Sequence, residues 1–438
     1  MASRRKPLVG IIHSIESKST IVGAELAVYL GVCLQLGEYS DVRIIGFSNK
    51  DGTATKAGGA KATGVSPQRK YSVVPYGESK PKHPNHAECC PDGWETLEKC
   101  NLILICVDPR DTEACSKRLS STVKKGSDMA IVGFDLGVRN HAGFETELGS
   151  HNIIVLAGAV GISVAKSPMD GHLRCLGGGA LVVERLSKKQ AKQGVKFLNL
   201  LRSAGIPMRH CKNVTSYAHG AVIFNTVHAG AALAGVPLQE FVRDRNGRLL
   251  WAAMIREGLE VLVLAARGGG WRGANPCCCL TLPQLELMLC LPTPLFMIVS
   301  RLVFRFHPEL APTMQRDLGG GRETGVAWTL GEIVKIADTH KAASPACRAV
   351  LSAVKRAVAI GDGVPSMPPQ SLFVAAFGSK ESESARALHR KLLVWCGSLA
   401  AGAACLGCVG GVWVAVLGVA LALLLALAKY ALVGDVVP

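Results

Sequence analysis

Two short apolar stretches, PLVGIIH at residues 7–13 and DVRIIGF at residues 41–47, decide the fold of the first half of the chain. Between them lies a helical pattern over residues 22–36. The strand patterns NLILICV (101–107), DMAIVGF (128–134) and NIIVLAG (152–158) continue the series. Strands that alternate with helices indicate a parallel sheet covered on both faces. We therefore predict a Rossmann-type α/β domain over residues 1–207, with the polar, aperiodic stretch 48–95 as an insertion or lid.

The second half of the chain changes to apolar residues at helical spacing. Helical patterns cover residues 217–234, 248–266, 285–306, 330–340 and 345–360, with Pro292 and Pro294 as a break in the third. This predicts an all-helical domain over residues 208–360. Residues 361–391, which include several Pro, Gly and Ser, are predicted to be a linker.

The C-terminal end of the chain has the pattern of a membrane anchor. Residues 392–428 contain no charged side chain, whereas about 20 apolar residues already span a bilayer as a helix. We predict a transmembrane segment at 392–430, as one span or as a hairpin broken at Gly410–Gly411. Arg386, Arg390 and Lys391 precede it, which places the large soluble body on the cytosolic side. The GxxxG spacing of Gly407 and Gly411 would let two such helices approach closely in a homodimer.

Composition excludes some classes of function. The formal net charge of +16 favours anionic partners, but aromatic residues make up only 5% and are not interleaved with the basic runs, so we expect no nucleic-acid partner.

The 16 cysteines follow no secretory signal, which indicates a reduced compartment. Because His83, His86 and Cys89 lack a second clean pair of ligands, we expect no metal site.

Four stretches in order, NLILICVDPRDTEA, AIVGFDLGVRN, the long helical pair that starts at FNTVHAG, and TMQRDLGGGRETGVAWTLGEI, are similar to those of the 2-dehydropantoate 2-reductases, also called ketopantoate reductases. The resemblance runs over about residues 7–358. It implies NADPH-dependent reduction of a 2-keto acid to a 2-hydroxy acid, on the pathway to pantothenate. The C-terminal anchor lies outside it.

The resemblance also assigns residues to the cofactor site, with departures. Where the family has GxGxxG, this chain reads HSIESKSTIVG, with Gly23 at the third glycine. Ser19 and Thr20 are the candidates to hold phosphate through hydroxyl and backbone contacts. Lys50 is the candidate for the 2'-phosphate, as a point charge in place of an arginine. Gly137 matches the glycine of a turn after the strand at residues 128–134.

The catalytic positions depart further from the family. Asn225 matches the asparagine of a Lys-x-x-x-Asn motif, but Ala221 stands at the lysine. Asp108 stands at a strand-end lysine beside the cofactor. Thr313 supplies the hydroxyl of the substrate loop, while Gly325 replaces a nearby glutamate.

A histidine on the same predicted helix is a candidate to replace the missing lysine. His228 lies seven residues after Ala221, on about the same helix face, and an imidazolium can donate a proton near neutral pH. Two interpretations stay open: a diverged NADPH-dependent reductase, or a non-catalytic descendant that senses a ligand or binds a partner at a membrane.

Overall fold

The computed structural model describes residues 6–14, 24–36, 40–47, 73–74, 88–89, 93–126, 129–135, 140–151, 153–166, 172–175, 179–186, 199–265, 280–303 and 312–378. Within these ranges an eight-stranded sheet forms the N-terminal half and a cluster of helices forms the C-terminal half.

Eleven strands are described, and eight of them form the main sheet. They are β1 Leu8–Ser14, β2 Asp41–Phe47, β3 Val73–Val74, β4 Glu88–Cys89, β5 Leu102–Cys106, β6 Ala130–Asp135, β7 Ile154–Val160, β8 Val164–Lys166, β9 Leu173–Cys175, β10 Leu181–Glu184 and β11 Met208–Cys211. The order is β11-β10-β7-β6-β5-β1-β2-β4, and β3, β9 and β8 make a small second sheet. From β4 to β7 all neighbours are parallel, which is the strand order of a dinucleotide-binding fold.

Three described helices of the N-terminal half pack on the main sheet: α1 Ala24–Leu36, α2 Thr112–Thr122 and α3 Asn140–Leu148. A helix of the C-terminal half, Val214–Phe224, packs against β7 and β10. All five residues of strand β5 are buried, so helices have to pack on both faces of the sheet at this strand. Leu102 and Leu104 pack into the core that contains α1, whereas Ile103 and Ile105 pack into the core that contains α2 and α3. Alternate side chains of a strand point to opposite faces, so a continuous apolar run specifies a central, doubly covered strand.

Ten helices are described in the C-terminal half: α4 Val214–Phe224, α5 Val227–Ala234, α6 Leu238–Arg243, α7 Arg245–Ala265, α8 Leu282–Cys290, α9 Thr293–Val303, α10 Thr313–Gly319, α11 Leu330–His340, α12 Pro345–Ile360 and α13 Pro369–Phe377. The long helix α7 lies at the centre and packs against α6, α8, α11, α12 and α13. Glu257 of α7 is buried and accepts hydrogen bonds from the backbone N–H groups of Ala346 and Cys347. It thereby satisfies donors at the start of α12 that have no partner inside that helix.

A second polar contact fixes the end of α8. Arg248 is 0% exposed, and its guanidinium donates to the carbonyls of Leu289 (3.3 Å) and Arg243 (2.8 Å) and to Thr293 Oγ1 (3.0 Å). It also lies 4.2 Å from the centre of the Phe296 ring. Burial lowers the pKa of Arg248 to about 10, so the side chain remains charged at neutral pH and stabilises the carbonyl end of α8.

The Rossmann-type first half and the helical second half confirm the expected fold class. Two details differ from expectation. The sheet continues past residue 207 through β11, whose half-exposed residues give no apolar run from which a strand is predicted. Within the expected linker, α13 packs on the helical core and buries Leu372 and Phe373.

The predicted transmembrane segment at residues 392–430 lies outside the described residues. Among the helices that are described, none combines the length and the apolar composition that a bilayer crossing requires. Within the predicted insertion at residues 48–95, the described elements are the short strands β3 and β4 and the start of a 3-10 helix, Gly93–Lys99.

Candidate functional site

The candidate site begins where the strand order of the sheet reverses. Strand β1 lies between β2 and β5. Along the main sheet the strands run outward from β1 through β2 to β4, and the sequence then continues on the other side of β1 with β5, β6 and β7. In open α/β sheets, ligands bind outside the carboxyl ends of the strands at such a reversal. Here those ends are Ser14 of β1 and residues 106–108 after β5.

A buried polar network joins these two strand ends. The backbone N–H of Asp108 donates to Ser14 Oγ at 2.8 Å, and the Ser14 hydroxyl donates to a carboxylate oxygen of Asp111. Ser14 and Asp108 are 0% exposed. Because each of these contacts crosses between β1 and the turn after β5, the network fixes the carboxyl edge of the sheet at the point of reversal.

The helical half meets this edge through α10. Helix α10 packs against α5, and its Arg316 forms an ion pair with Glu25 in the first turn of α1 at 3.4 Å. The Arg316 side chain is 59% exposed, so the pair contributes little to stability. The pair does show that α10, which begins at Thr313, lies beside the start of α1.

Asn225 lies at the break between α4 and α5. It ends α4, with its N–H bonded to the carbonyl of Ala221, and its own carbonyl accepts from the N–H of His228. Asn225 is 7% exposed, so its side-chain amide is almost wholly buried at this break. Ala221, one turn earlier, is 6% exposed and offers only a methyl group.

His228 is buried, and its Nδ1 has no hydrogen-bond partner within the described part of the chain. Burial lowers the pKa of His228 to about 4. The neutral imidazole is thus the species present at pH 7, which changes the role expected from the sequence. His228 can donate or accept a hydrogen bond, but it is a weak source of protons at neutral pH.

The two histidines of this region predict a pH-dependent stability. Burial also lowers the pKa of His219 to about 4, whereas an unfolded histidine titrates near pH 6.5, roughly. Between these values the unfolded chain binds more protons than the folded one, so the free energy of unfolding falls as pH drops through this window. We expect chemical denaturation at pH 7.5 and pH 5 to show this loss.

A substitution distinguishes the contribution of His228 to this pH dependence from that of the carboxylates, which also bind protons at low pH. His228→Gln removes one titrating group of similar polarity, so the difference in unfolding free energy between pH 7.5 and pH 5 should become smaller than in the wild type. His340→Gln, an exposed histidine, should leave that difference unchanged. An equal pH dependence in wild type and His228→Gln would contradict the assignment.

The structure places only part of the predicted site. The predicted cofactor residues Gly23, Ser19, Thr20, Lys50 and Gly137 lie outside the described residues, and they stay predictions. Of the predicted catalytic residues, Asn225 and His228 come together at the α4–α5 break, and Thr313 begins α10, which packs against α5. Gly325 is buried at the start of a 3-10 turn, Gly325–Trp328, directly before α11.

Sequence reasoning missed Ser14, Asp111 and Arg110. The strand was expected to end at His13, one residue early, so the hydroxyl at the strand end was not considered. A signal was present in DPRD, residues 108–111, because two carboxylates beside an arginine directly after a buried strand require paired charges.

Known proteins share the sequence pattern of the helical half and the fold of both halves. Residues 213–358 match the sequence profile described as "Ketopantoate reductase PanE/ApbA C terminal". No curated protein matches the chain. Among solved structures, the PanE/ApbA family ketopantoate reductase from Ralstonia eutropha JMP134 has a TM-score of 0.56 at 18% identity, covering 81% of this chain and 99% of its own.

Two further structures share the fold. A ternary structure of D-mandelate dehydrogenase with NADH and anilino(oxo)acetate has a TM-score of 0.57 at 14% identity, over 81% of this chain and 99% of that one. A dimeric ketopantoate reductase from Staphylococcus aureus has a TM-score of 0.50 at 14% identity, with the same coverage. At these identities the likeness establishes the fold. The chain therefore resembles the ketopantoate reductases, in sequence over residues 213–358 and in fold over both the Rossmann-like and the helical half.

Proposed function

We propose that this protein is an NADPH-dependent oxidoreductase that reduces a 2-keto acid to a 2-hydroxy acid, of the 2-dehydropantoate 2-reductase type, with a weakened catalytic centre. The observation that carries the proposal is the ion pair between Arg316 and Glu25. The pair joins the start of α1 to α10, the helix that resembles the family's substrate loop, and α1 follows the strand at whose end a dinucleotide is bound in this fold. A cofactor and a small acid would then meet at the junction of the two halves.

The described residues fit part of this chemistry. When bound, a nicotinamide cofactor supplies the hydride that reduces the carbonyl carbon, and negative charge then develops on the carbonyl oxygen. Donors that are already placed at this oxygen lower the barrier. The amide of Asn225 and the neutral ring of His228 are the candidates, because both side chains are buried at the α4–α5 break and Nδ1 of His228 has no hydrogen-bond partner among the described residues. Thr313 would orient the substrate through its hydroxyl.

The missing groups define the weakness of the site. Ala221 has no ammonium to stabilise an alkoxide or to supply a proton, and Gly325 has no carboxylate. Removing one such stabilising group commonly costs a factor of about 10² to 10³ in rate. These two positions also favour a second function, a non-catalytic descendant of the family that senses a ligand or binds a partner.

Two features of assembly belong to the proposal. We propose that residues 392–430 anchor the protein in a membrane, with the body facing the cytosol, because residues 392–428 carry no charge. A homodimer is proposed because the Staphylococcus aureus relative is dimeric and because Gly407 and Gly411 have helix-packing spacing. Which keto acid is reduced follows from neither feature, and ketopantoate is the first substrate to test.

The test is NADPH oxidation by the full-length protein in a mild detergent, with and without ketopantoate, beside a titration of NADPH binding. Slow oxidation that depends on ketopantoate supports the reductase. Binding of NADPH without turnover of any 2-keto acid supports the sensing descendant instead. If NADPH does not bind at millimolar concentration, the reductase proposal is rejected.

A further inference from the structure

The exposed side of α12 carries charge of one sign. Five exposed residues at spacings of three and four lie on the same side of this helix and form its outer face: Ser352, Lys355, Arg356, Ala359 and Ile360. The opposite side of α12 packs into the helical core. No acidic residue occurs in the helix. The outer face therefore presents two cations to the solvent without an acid on the same helix.

Two structural explanations for these cations have to be weighed first. Basic residues in the last turn of a helix stabilise it through its dipole, but the last turn of α12 contains none. Acidic residues three or four positions away would form stabilising pairs, but α12 has no such residues. Arg348, nearer the start of α12, does pair with Asp338 of α11, so it is not counted in the outer face. Neither the dipole nor a pair within the helix accounts for Lys355 and Arg356.

An exposed apolar side chain lies next to the two cations. Ile360 is 59% exposed and follows Arg356 by four residues, so the two side chains are neighbours on the helix surface. A single exposed isoleucine is common on protein surfaces. Beside two cations, however, it has the composition of a helix that binds a membrane surface. Cations there meet anionic headgroups, and apolar side chains enter the boundary between headgroups and acyl chains.

The chain leaves the helical half next to α12. Helix α13 packs against α12 and ends at Phe377. The uncharged stretch begins at Leu392, so 14 residues, 378–391, join α13 to the proposed anchor. These residues can reach at most about 50 Å. Because this tether starts at a neighbour of α12, an anchored chain keeps the outer face near the bilayer.

Charge also favours a membrane over a second copy of the chain. Residues 341–378 contain four basic side chains and one acidic side chain, Asp362. Two such surfaces repel each other. The cytosolic surface of a membrane, in contrast, is negatively charged and attracts basic segments close to it.

We propose that the outer face of α12 docks on the anionic cytosolic surface of the membrane that holds the anchor. Lys355 and Arg356 contact the anionic groups of the lipids, and Ile360 enters the layer between the headgroups. The inference rests on the proposed function, because it requires the membrane anchor at residues 392–430. Docking fixes the orientation of the body relative to the bilayer.

The test measures contact between residue 360 and lipid in the full-length protein. Ile360→benzoylphenylalanine introduces a photoreactive side chain, and the protein is placed in nanodiscs of phosphatidylcholine alone or mixed with phosphatidylserine. Mass spectrometry after illumination gives the yield of lipid adducts. Ile298→benzoylphenylalanine is the matched control, because Ile298 on α9 is 64% exposed and apolar.

Adducts at residue 360 should be several-fold more abundant with phosphatidylserine than without it, and several-fold more abundant than at residue 298. Each basic residue removed should lower the ratio of docked to undocked protein about fivefold. Lys355→Gln with Arg356→Gln should therefore reduce the yield at residue 360, as should high salt. Lys117→Gln with Lys125→Gln removes the same charge from exposed positions of the N-terminal half and should leave this yield unchanged.

Three outcomes overturn the inference. Equal yields at residues 360 and 298 would show that exposure alone brings lipid contact. A yield at residue 360 that responds to neither phosphatidylserine nor Lys355→Gln with Arg356→Gln would show a solvated face. Adducts that join two protein chains through residue 360 would identify a second copy as the occupant. Circular dichroism shows whether each variant is folded.

Flotation with phosphatidylcholine vesicles tests the anchor separately. Wild-type protein that floats with these vesicles after an alkaline wash, but gives no preferential adducts at residue 360, rejects the docking face and leaves the anchor standing. Protein that floats with neither phosphatidylcholine nor phosphatidylserine vesicles rejects the anchor and the docking face together.

Discussion

Replacing Ala221 with lysine and Gly325 with glutamate is expected to raise kcat for ketopantoate reduction by about 10²-fold or more. Ala221 lies one turn before Asn225 on α4, the spacing of the Lys-x-x-x-Asn motif in the resembled family. An ammonium at this position would stabilise the oxygen that becomes negative during hydride transfer. The substitution therefore supplies the positive charge that the site lacks, at the helix position four residues before Asn225.

Two control variants test whether the gain in kcat comes from the length of the new side chain or from the added charge alone. Ala221→Met has similar length without charge, and it tests whether the buried position tolerates a long side chain. Thr215→Lys places the same charge on an exposed position of α4 and should leave kcat unchanged. A folded Ala221→Lys, Gly325→Glu protein that binds NADPH and ketopantoate but reduces no faster than the wild type would contradict the assignment of these positions.

The largest loss of stability is expected from Arg248→Ala, about 3–5 kcal/mol in the free energy of unfolding. The substitution leaves the carbonyl of Leu289 without its charged donor, and a buried unsatisfied group costs about 1–3 kcal/mol. It also removes the contact with the Phe296 ring and opens a cavity in a close-packed core. Urea denaturation followed by circular dichroism measures the change.

An exposed arginine provides the control. Arg356→Ala on α12 should change the free energy of unfolding by less than about 0.5 kcal/mol, since surface substitutions rarely do more. Arg248→Met keeps much of the aliphatic volume and should recover part of the packing loss but none of the hydrogen bonds. If Arg248→Ala were as stable as Arg356→Ala, the guanidinium would not hold the end of α8.

Much of the fold is predictable because the signals are strong and local. Strand β2 and helices α11 and α12 begin and end at the residues predicted from their apolar periods. Strand β11 and helix α13 were missed for a physical reason. Each is short and buries few apolar side chains, so its structure comes from contacts with distant parts of the chain.

The site was less accessible to sequence reasoning. Asn225 and His228 are close in sequence, but one continuous helix was predicted over residues 217–234, and the structure breaks it between Phe224 and Val227. The expectation that His228 shares a helix face with Ala221 was therefore wrong. The pairing of Arg316 with Glu25 joins residues 291 positions apart, and no local pattern encodes it. Burial also decides the charge of His228, because its low pKa comes from its surroundings and the sequence alone suggested an imidazolium at neutral pH.

The central claim is that the strand reversal between β1 and β5 still binds a nicotinamide dinucleotide. Its most direct measurement is a titration of the full-length wild type with NADPH, following nucleotide fluorescence, in competition with pyrophosphate. We expect saturable binding at a single site per chain, and we expect excess pyrophosphate to weaken it. An unchanged nucleotide signal up to millimolar NADPH, from protein shown to be folded, would contradict it.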